Sequence, residues 1–155
     1  ALFLEQPPLN AGSTVAGLLG LFGVAGVLAA PLAGRLADKG GQARVTGFGA
    51  AAEAVSFAAY GFLRTSWIAL IAGIVLMDVG MQAAMISNQT RVYALDAAAR
   101  SRLNTVYMTI MFACGALGAA VAGQAFALLG WGGVCAFGGA CGALALAVEL
   151  RTRRS

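Results

Sequence analysis

Gly34-Arg35-Leu36-Ala37-Asp38-Lys39-Gly40-Gly41-Gln42-Ala43-Arg44 is a short charged segment clamped between two long apolar runs. Residues 13–33 on one side carry no charge, and residues 45–63 on the other carry only Glu53. Each run is about 20 residues long, so as a helix rising 1.5 Å per residue it would cross the roughly 30 Å hydrocarbon core of a bilayer. The charged segment therefore reads as a hairpin tip at a membrane surface. It holds Arg35, Lys39 and Arg44, and short loops rich in Lys and Arg stay on the cytoplasmic side.

The composition agrees. Of 155 residues 60% are hydrophobic and 10% charged, and the mean hydropathy is +0.83, too apolar for a water-soluble surface. Twenty-two glycines make a poor soluble core, whereas small residues let helices approach closely in lipid. A net charge of +4 raises nucleic acid as a partner, but the basic residues form no patch. Nine of the ten fall in three groups, with Arg64 elsewhere: Arg35, Lys39 and Arg44; Arg91, Arg100 and Arg102; and Arg151, Arg153 and Arg154. Groups on alternate connections are the signature of cytoplasmic loops and not of a DNA-binding face. With no histidine, no CxxC pair and no phosphate-cradling glycine loop followed by Lys-Ser or Lys-Thr, the sequence offers no catalytic, metal or cofactor site. Cys114, Cys135 and Cys141 read as buried apolar thiols.

Taken in order, the chain opens with an apolar piece, residues 1–6, broken at Pro7-Pro8, which cannot continue a helix. Residues 1–6 read as the end of a further span and 7–12 as a loop. The start carries no basic region of a signal peptide, and the lack of an initiator Met suggests an unnatural beginning. Ser13 or Thr14 suits a helix N-cap. Five spans come next, at about 13–33, 45–63, 67–90, 104–129 and 133–150. Loops 34–44 and 94–103 and the tail 151–155 fall on the cytoplasmic side. Gly17, Gly20, Gly23 and Gly26 suggest a smooth flank packed on a neighbour. Tyr60, Trp67 and Trp131 sit where interfacial aromatics are expected. Five spans finishing inside begin outside, and one more span before Ala1 would complete six.

A bundle of this kind with a Gly-x-Leu-x-Asp-Lys-x-Gly loop resembles one half of a major facilitator superfamily transporter. Gly34, Leu36, Asp38, Lys39 and Gly41 match the signature and Arg44 trails it, while Gln42 and Ala43 stand where a basic pair is common. Asp78-Val79-Gly80-Met81-Gln82, Ser87-Asn88-Gln89 and Ala99-Arg100-Ser101-Arg102-Leu103-Asn104-Thr105-Val106-Tyr107 are similar to the C-terminal halves of bacterial proton-driven efflux permeases of the arabinose-efflux-like type. The resemblance implies an all-α polytopic membrane bundle in the bacterial inner membrane, multi-pass with a cytoplasmic C-terminus. It also implies alternating access with a missing N-terminal half and proton-coupled efflux of a small solute. The alternative is a truncated, non-transporting chain that serves as an interaction or assembly module.

Asp78 is the sharpest candidate residue, about 16 Å along the third span from Trp67. A carboxylate at that depth usually faces a cavity or a polar partner. Gln82, Met85 and Gln89 come next on nearly the same helical face, so Asp78, Gln82 and Gln89 form a polar stripe that the resemblance places on the central cavity as a proton or substrate site. A structural role, with Asp78 accepting hydrogen bonds from neighbouring helices, is the other reading. Glu53 reads as a packing residue of a supporting helix. Gly34, Asp38, Lys39, Gly41 and Arg44, with Arg91, form the gating group. An Asp38–Arg91 ion pair is expected to hold the loop, with a solvated or headgroup-bound Arg91 as its alternative. Asp38 also suits the N-terminus of the second span, and the family's gate implies contact with a helix end of the missing half.

Overall fold

The computed structural model describes residues 11–63 and 65–152. The expected remnant of an earlier span, most of the first loop, Arg64, Arg153 and Arg154 lie outside the described residues. Those described are helical apart from short turns. Helix α1 (Ser13–Gly20) passes through a single 3-10 turn, Leu21–Gly23, into α2 (Val24–Leu36), so the first apolar run is one helical rod with a tightened middle. Pro31 lies inside α2. The charged segment is not an open loop. Ala37–Gly41 forms a π-helical turn that leads directly into α3 (Gln42–Phe62). Helix α4 spans Trp67–Leu95 and α5 spans Arg100–Thr152.

Side-chain capping is sparse. Gly12 is the N-cap of α1, so the cap falls one residue before the expected Ser13 or Thr14. Ser66 does cap α4, its Oγ accepting from the Ala69 N–H at 3.3 Å, which satisfies one of the donors that a helix start leaves open.

Contacts between elements give the directions. Thr46 of α3 meets Ser87 of α4, Gly49 meets Gly80, and Tyr60 meets Gly73; α3 and α4 are antiparallel. Leu19 packs with Ile71 and Ile74, and Gly34 lies against Ile86, so the α1–α2 rod runs parallel to α4. Helix α5 is two arms. Gly130 has φ 64° and ψ −156°, a region open essentially to glycine alone. The first arm touches α4 through Asn104 and Tyr107. The second returns along α3 through Cys135 against Gly61, Gly138 against Phe57 and Gly142 against Ala54, and brings Glu149 back to the level of Arg91. Chain reversal at Gly130 is what closes this circuit. Gly130→Ala is therefore expected to cost about 1–3 kcal/mol of stability, read as a lowered melting temperature of the purified protein by tryptophan fluorescence; an unchanged melting temperature would show that the bend tolerates a Cβ.

The core is made of small residues because the helices cross closely. Ala50, Ala52 and Ala83 are buried, and Tyr60, Leu70 and Cys135 form a larger cluster with Phe57, Ile74, Met77 and Trp131 packed against it. Phe57 and Tyr60 meet edge to face, with centroids 5.9 Å apart. The outer faces are apolar: Leu28, Phe62, Ile68 and Leu128 are almost wholly exposed. Surfaces of this kind belong against lipid or another helix. By length and mean hydropathy α4 (1.9) and α5 (1.8) are each able to cross a membrane.

Two expectations about small residues change. Gly17 and Gly20 pack on none of the described residues, since a Cβ added to either meets nothing within 4 Å. Cys114 and Cys141 are exposed, and only Cys135 is a buried thiol.

Candidate functional site

One end of the bundle gathers the polar residues. The turn Ala37–Gly41, the last three turns of α4, the start of α5 and Glu149 all lie there, as the contacts above require. Thr46 Oγ1 donates toward Ser87 Oγ at 3.1 Å, and Ser87 Oγ donates to the Gln42 carbonyl at 2.8 Å. This seam stitches the start of α3 to α4. On the opposite face of α4, Gln89 Nε2 and Tyr93 Oη both donate to Asn104 Oδ1, at 3.1 and 2.7 Å, and Tyr107 Oη donates to the Met85 carbonyl at 3.2 Å.

Arg91 makes the strongest contact. Its Nη2 and Nη1 donate to Glu149 Oε1 and Oε2 at 2.7 and 3.0 Å, the parallel fork that suits a guanidinium and a carboxylate. The partner of Arg91 is thus Glu149 and not Asp38, which sits exposed on the π-helical turn. Nor does Asp38 cap α3, whose N-cap is Gly41 with no side-chain hydrogen bond. Asp38 points into open surroundings where an ion pair gains little, whereas Glu149 is buried and an apolar surround leaves a carboxylate dependent on a cation. Sequence reasoning missed Glu149. The signal available was an acid within a helical turn of a basic tail.

The polar stripe of α4 is divided. Gln89 is engaged with Asn104 on the first arm of α5. Asp78 and Gln82 are half-buried, and neither carries a hydrogen bond to another described residue. Asp78 lies in electrostatic reach of the Tyr60 hydroxyl on α3, a buried oxygen with no hydrogen-bond partner among the described residues. Tyr60 is itself fixed from the other side, where its carbonyl accepts from Trp131 Nε1 at 3.1 Å. The Tyr60 ring packs on Gly73 of α4, five residues before Asp78 on the same helix. Glu53 is half-buried on α3. Lys39 and Arg44 are exposed beside a cleft between α2 and α3, while Gly34 touches Ile86 and Gly41 closes tightly on the Leu36 carbonyl.

Comparison with known proteins bears on this arrangement. The family profile described as Major Facilitator Superfamily matches residues 6–155. The chain is 41% identical over 138 residues to the uncharacterized transporter YgaY of Escherichia coli O157:H7, an alignment covering 89% of this chain and 35% of the relative. It is 40% identical over 139 residues to the probable transporter SCO4007 of Streptomyces coelicolor, covering 90% of this chain and 32% of the relative. The chain spans about a third of the length of these curated relatives. No solved structure matches. With its helical bundle, its apolar exterior and a family match over nearly its whole length, the chain belongs to the Major Facilitator Superfamily.

Proposed function

We propose that these residues form the C-terminal part of a secondary transporter that moves a small solute across a bacterial inner membrane by alternating access, with efflux coupled to protons. The relatives are named as transporters, and family membership supports transport as the class of activity. The observation that carries the finer reading is Asp78. It is a half-buried carboxylate in an apolar helix, within electrostatic reach of a buried phenol and without a hydrogen-bonded partner among the described residues. Such acids in membrane helices mark ion and substrate pathways. A carboxylate that is not tied down can exchange its proton for a solute group as the site opens to each side in turn. In this reading Asp78 and Gln82 contribute to the solute site, and Gln89 braces the helix.

The five apolar segments at about 13–33, 45–63, 67–90, 104–129 and 133–150 cross the membrane, and the end that gathers Lys39, Arg44, Arg100, Arg102 and Arg151 faces the cytoplasm. The missing N-terminal half would supply the other wall of the cavity. Gly34, Asp38, Lys39, Gly41 and Arg44 form the gating turn, with Asp38 free to meet a helix end of that half. Arg91 acts at one remove, because it joins α4 to the second arm of α5.

Asp78→Asn in the full-length protein, reconstituted in proteoliposomes, is expected to abolish solute movement driven by an imposed pH gradient while solute counterflow persists. Gradient-driven transport equal to the parent would remove Asp78 from coupling.

A further inference from the structure

Helices α2 and α3 both pack against α4 but scarcely touch each other, and the gap between them is a cleft of about 580 Å³. Its walls are apolar: Leu32 and Leu36 come from α2, Phe48 from α3, and Val79 from α4 forms part of the floor. Lys39 and Arg44 also line it. Both are exposed, and both lie at the charged end of the bundle, where the apolar helices stop. The nearby acid, Asp38, sits on the turn outside the cleft lining.

We infer that this cleft holds one anionic phospholipid, with its phosphate against Lys39 and Arg44 and an acyl chain against Leu32, Leu36, Phe48 and Val79. Two observations select this occupant. Cations set at the rim of an apolar cleft at a membrane face match the charge order of an anionic lipid, and basic pockets between membrane helices recognise such head groups. A free inorganic anion would leave the apolar walls unused, and a zwitterionic lipid would bring no net charge to the two cations. An apolar helix seated there would cover Lys39 and Arg44 without compensation. The inference stands apart from the solute and coupling readings, since the cleft does not include Asp78 or Gln82. Occupied, it would fill the space between α2 and α3 and tether the gating turn to one leaflet.

The test is native mass spectrometry of the full-length protein, stripped of lipid in detergent and titrated with dioleoyl phosphatidylglycerol or dioleoyl phosphatidylcholine. One phosphatidylglycerol is expected to bind ahead of any phosphatidylcholine. Lys39→Gln with Arg44→Gln is expected to weaken it about 30-fold, the combined attraction of two cations for an anionic lipid. Lys39→Arg with Arg44→Lys should retain it. Val79→Phe, which fills the floor and keeps both cations, should also weaken it, while Arg35→Gln, outside the cleft, should not. Millimolar inorganic phosphate should fail to displace the lipid. Equal binding of the two lipids, an unaffected double Gln variant, an unaffected Val79→Phe variant, or displacement by phosphate would each overturn the assignment. If the double Gln variant does not fold, the charge-keeping pair and Val79→Phe decide it.

Discussion

Arg91→Ala is expected to destabilise the protein by about 3 kcal/mol, the lower end of the cost of removing one partner from a buried ion pair. The reason is an asymmetry within the pair. The Glu149 side chain is 8% exposed and that of Arg91 38%, so the carboxylate is the member that depends on its partner. Truncating Arg91 removes both guanidinium hydrogen bonds from a carboxylate largely shielded from water. Glu149→Leu, by contrast, leaves a long cationic side chain already one-third in the open, able to extend toward the polar end of the bundle, and should cost about 1 kcal/mol. Arg91→Met combined with Glu149→Leu should recover most of the loss, because an apolar pair of similar volume carries no desolvation cost. Melting temperatures in one detergent, read by tryptophan fluorescence across the three variants, check the order. Equal losses for the two single variants would mean that the exposure difference does not govern the pair. An Arg91→Ala protein as stable as the parent would mean that the fork contributes nothing.

This pair also marks the limit of what the chain reveals before it is folded. The helices were legible because membrane length and apolar composition act locally: an uncharged run such as residues 13–33 has few other ways to satisfy its backbone. The clustering of Arg35, Lys39, Arg44, Arg100 and Arg102 at one end arises from the same alternation of apolar and basic segments. Partnership between side chains is a different matter. Arg91 and Glu149 are 58 positions apart, and their meeting depends on the reversal at Gly130, which nothing near either residue encodes. Asp38 had the more conspicuous context, in a signature turn beside Lys39, yet it lies exposed while an acid in an ordinary apolar run takes the arginine. The stripe from Asp78 to Gln89 was readable as a helical face. That Gln89 turns to Asn104 while Asp78 and Gln82 bond to none of the described residues was not, because helical spacing says which residues share a face and not what stands opposite them. Glycine spacing misled for the same reason. The three-residue interval at Gly17 and Gly20 meets no described neighbour, whereas Gly73 and Gly80, seven apart, Gly138 and Gly142, four apart, and Gly49 sit at the helix crossings.

The crossing of α3 and α4 gives the sharpest steric expectation. A Cβ on Gly49 would stand 2.5 Å from the Gly80 carbonyl oxygen and 2.8 Å from Ala84 Cβ, and a Cβ on Gly80 would stand 2.7 Å from Ala52 Cβ. The obstructing atoms are backbone and the first atom of short side chains, so no rotamer change relieves them. Two effects oppose each other in Gly49→Ala. Helix propensity favours alanine by about 1 kcal/mol, while overpacking a close contact costs about 1–3 kcal/mol and separates two helices along their length. Overlap at both the carbonyl and Ala84 should put the steric term in the upper part of that range and make it win, giving a net loss of up to about 2 kcal/mol. Gly49→Leu goes further, since no space exists for any of its side chain, and the expected outcome is a protein that does not assemble. The matched control is Gly115→Ala on the first arm of α5, where a Cβ meets nothing within 4 Å and the propensity gain stands alone. Detergent-solubilised yield and size-exclusion profiles of Gly49→Ala, Gly49→Leu and Gly115→Ala, produced side by side, separate the terms. A Gly49→Leu protein that elutes as the parent does would show that α3 and α4 are not in contact there. A loss at Gly115 equal to that at Gly49 would show that the first arm of α5 is covered as closely in the folded protein as the α3–α4 crossing is.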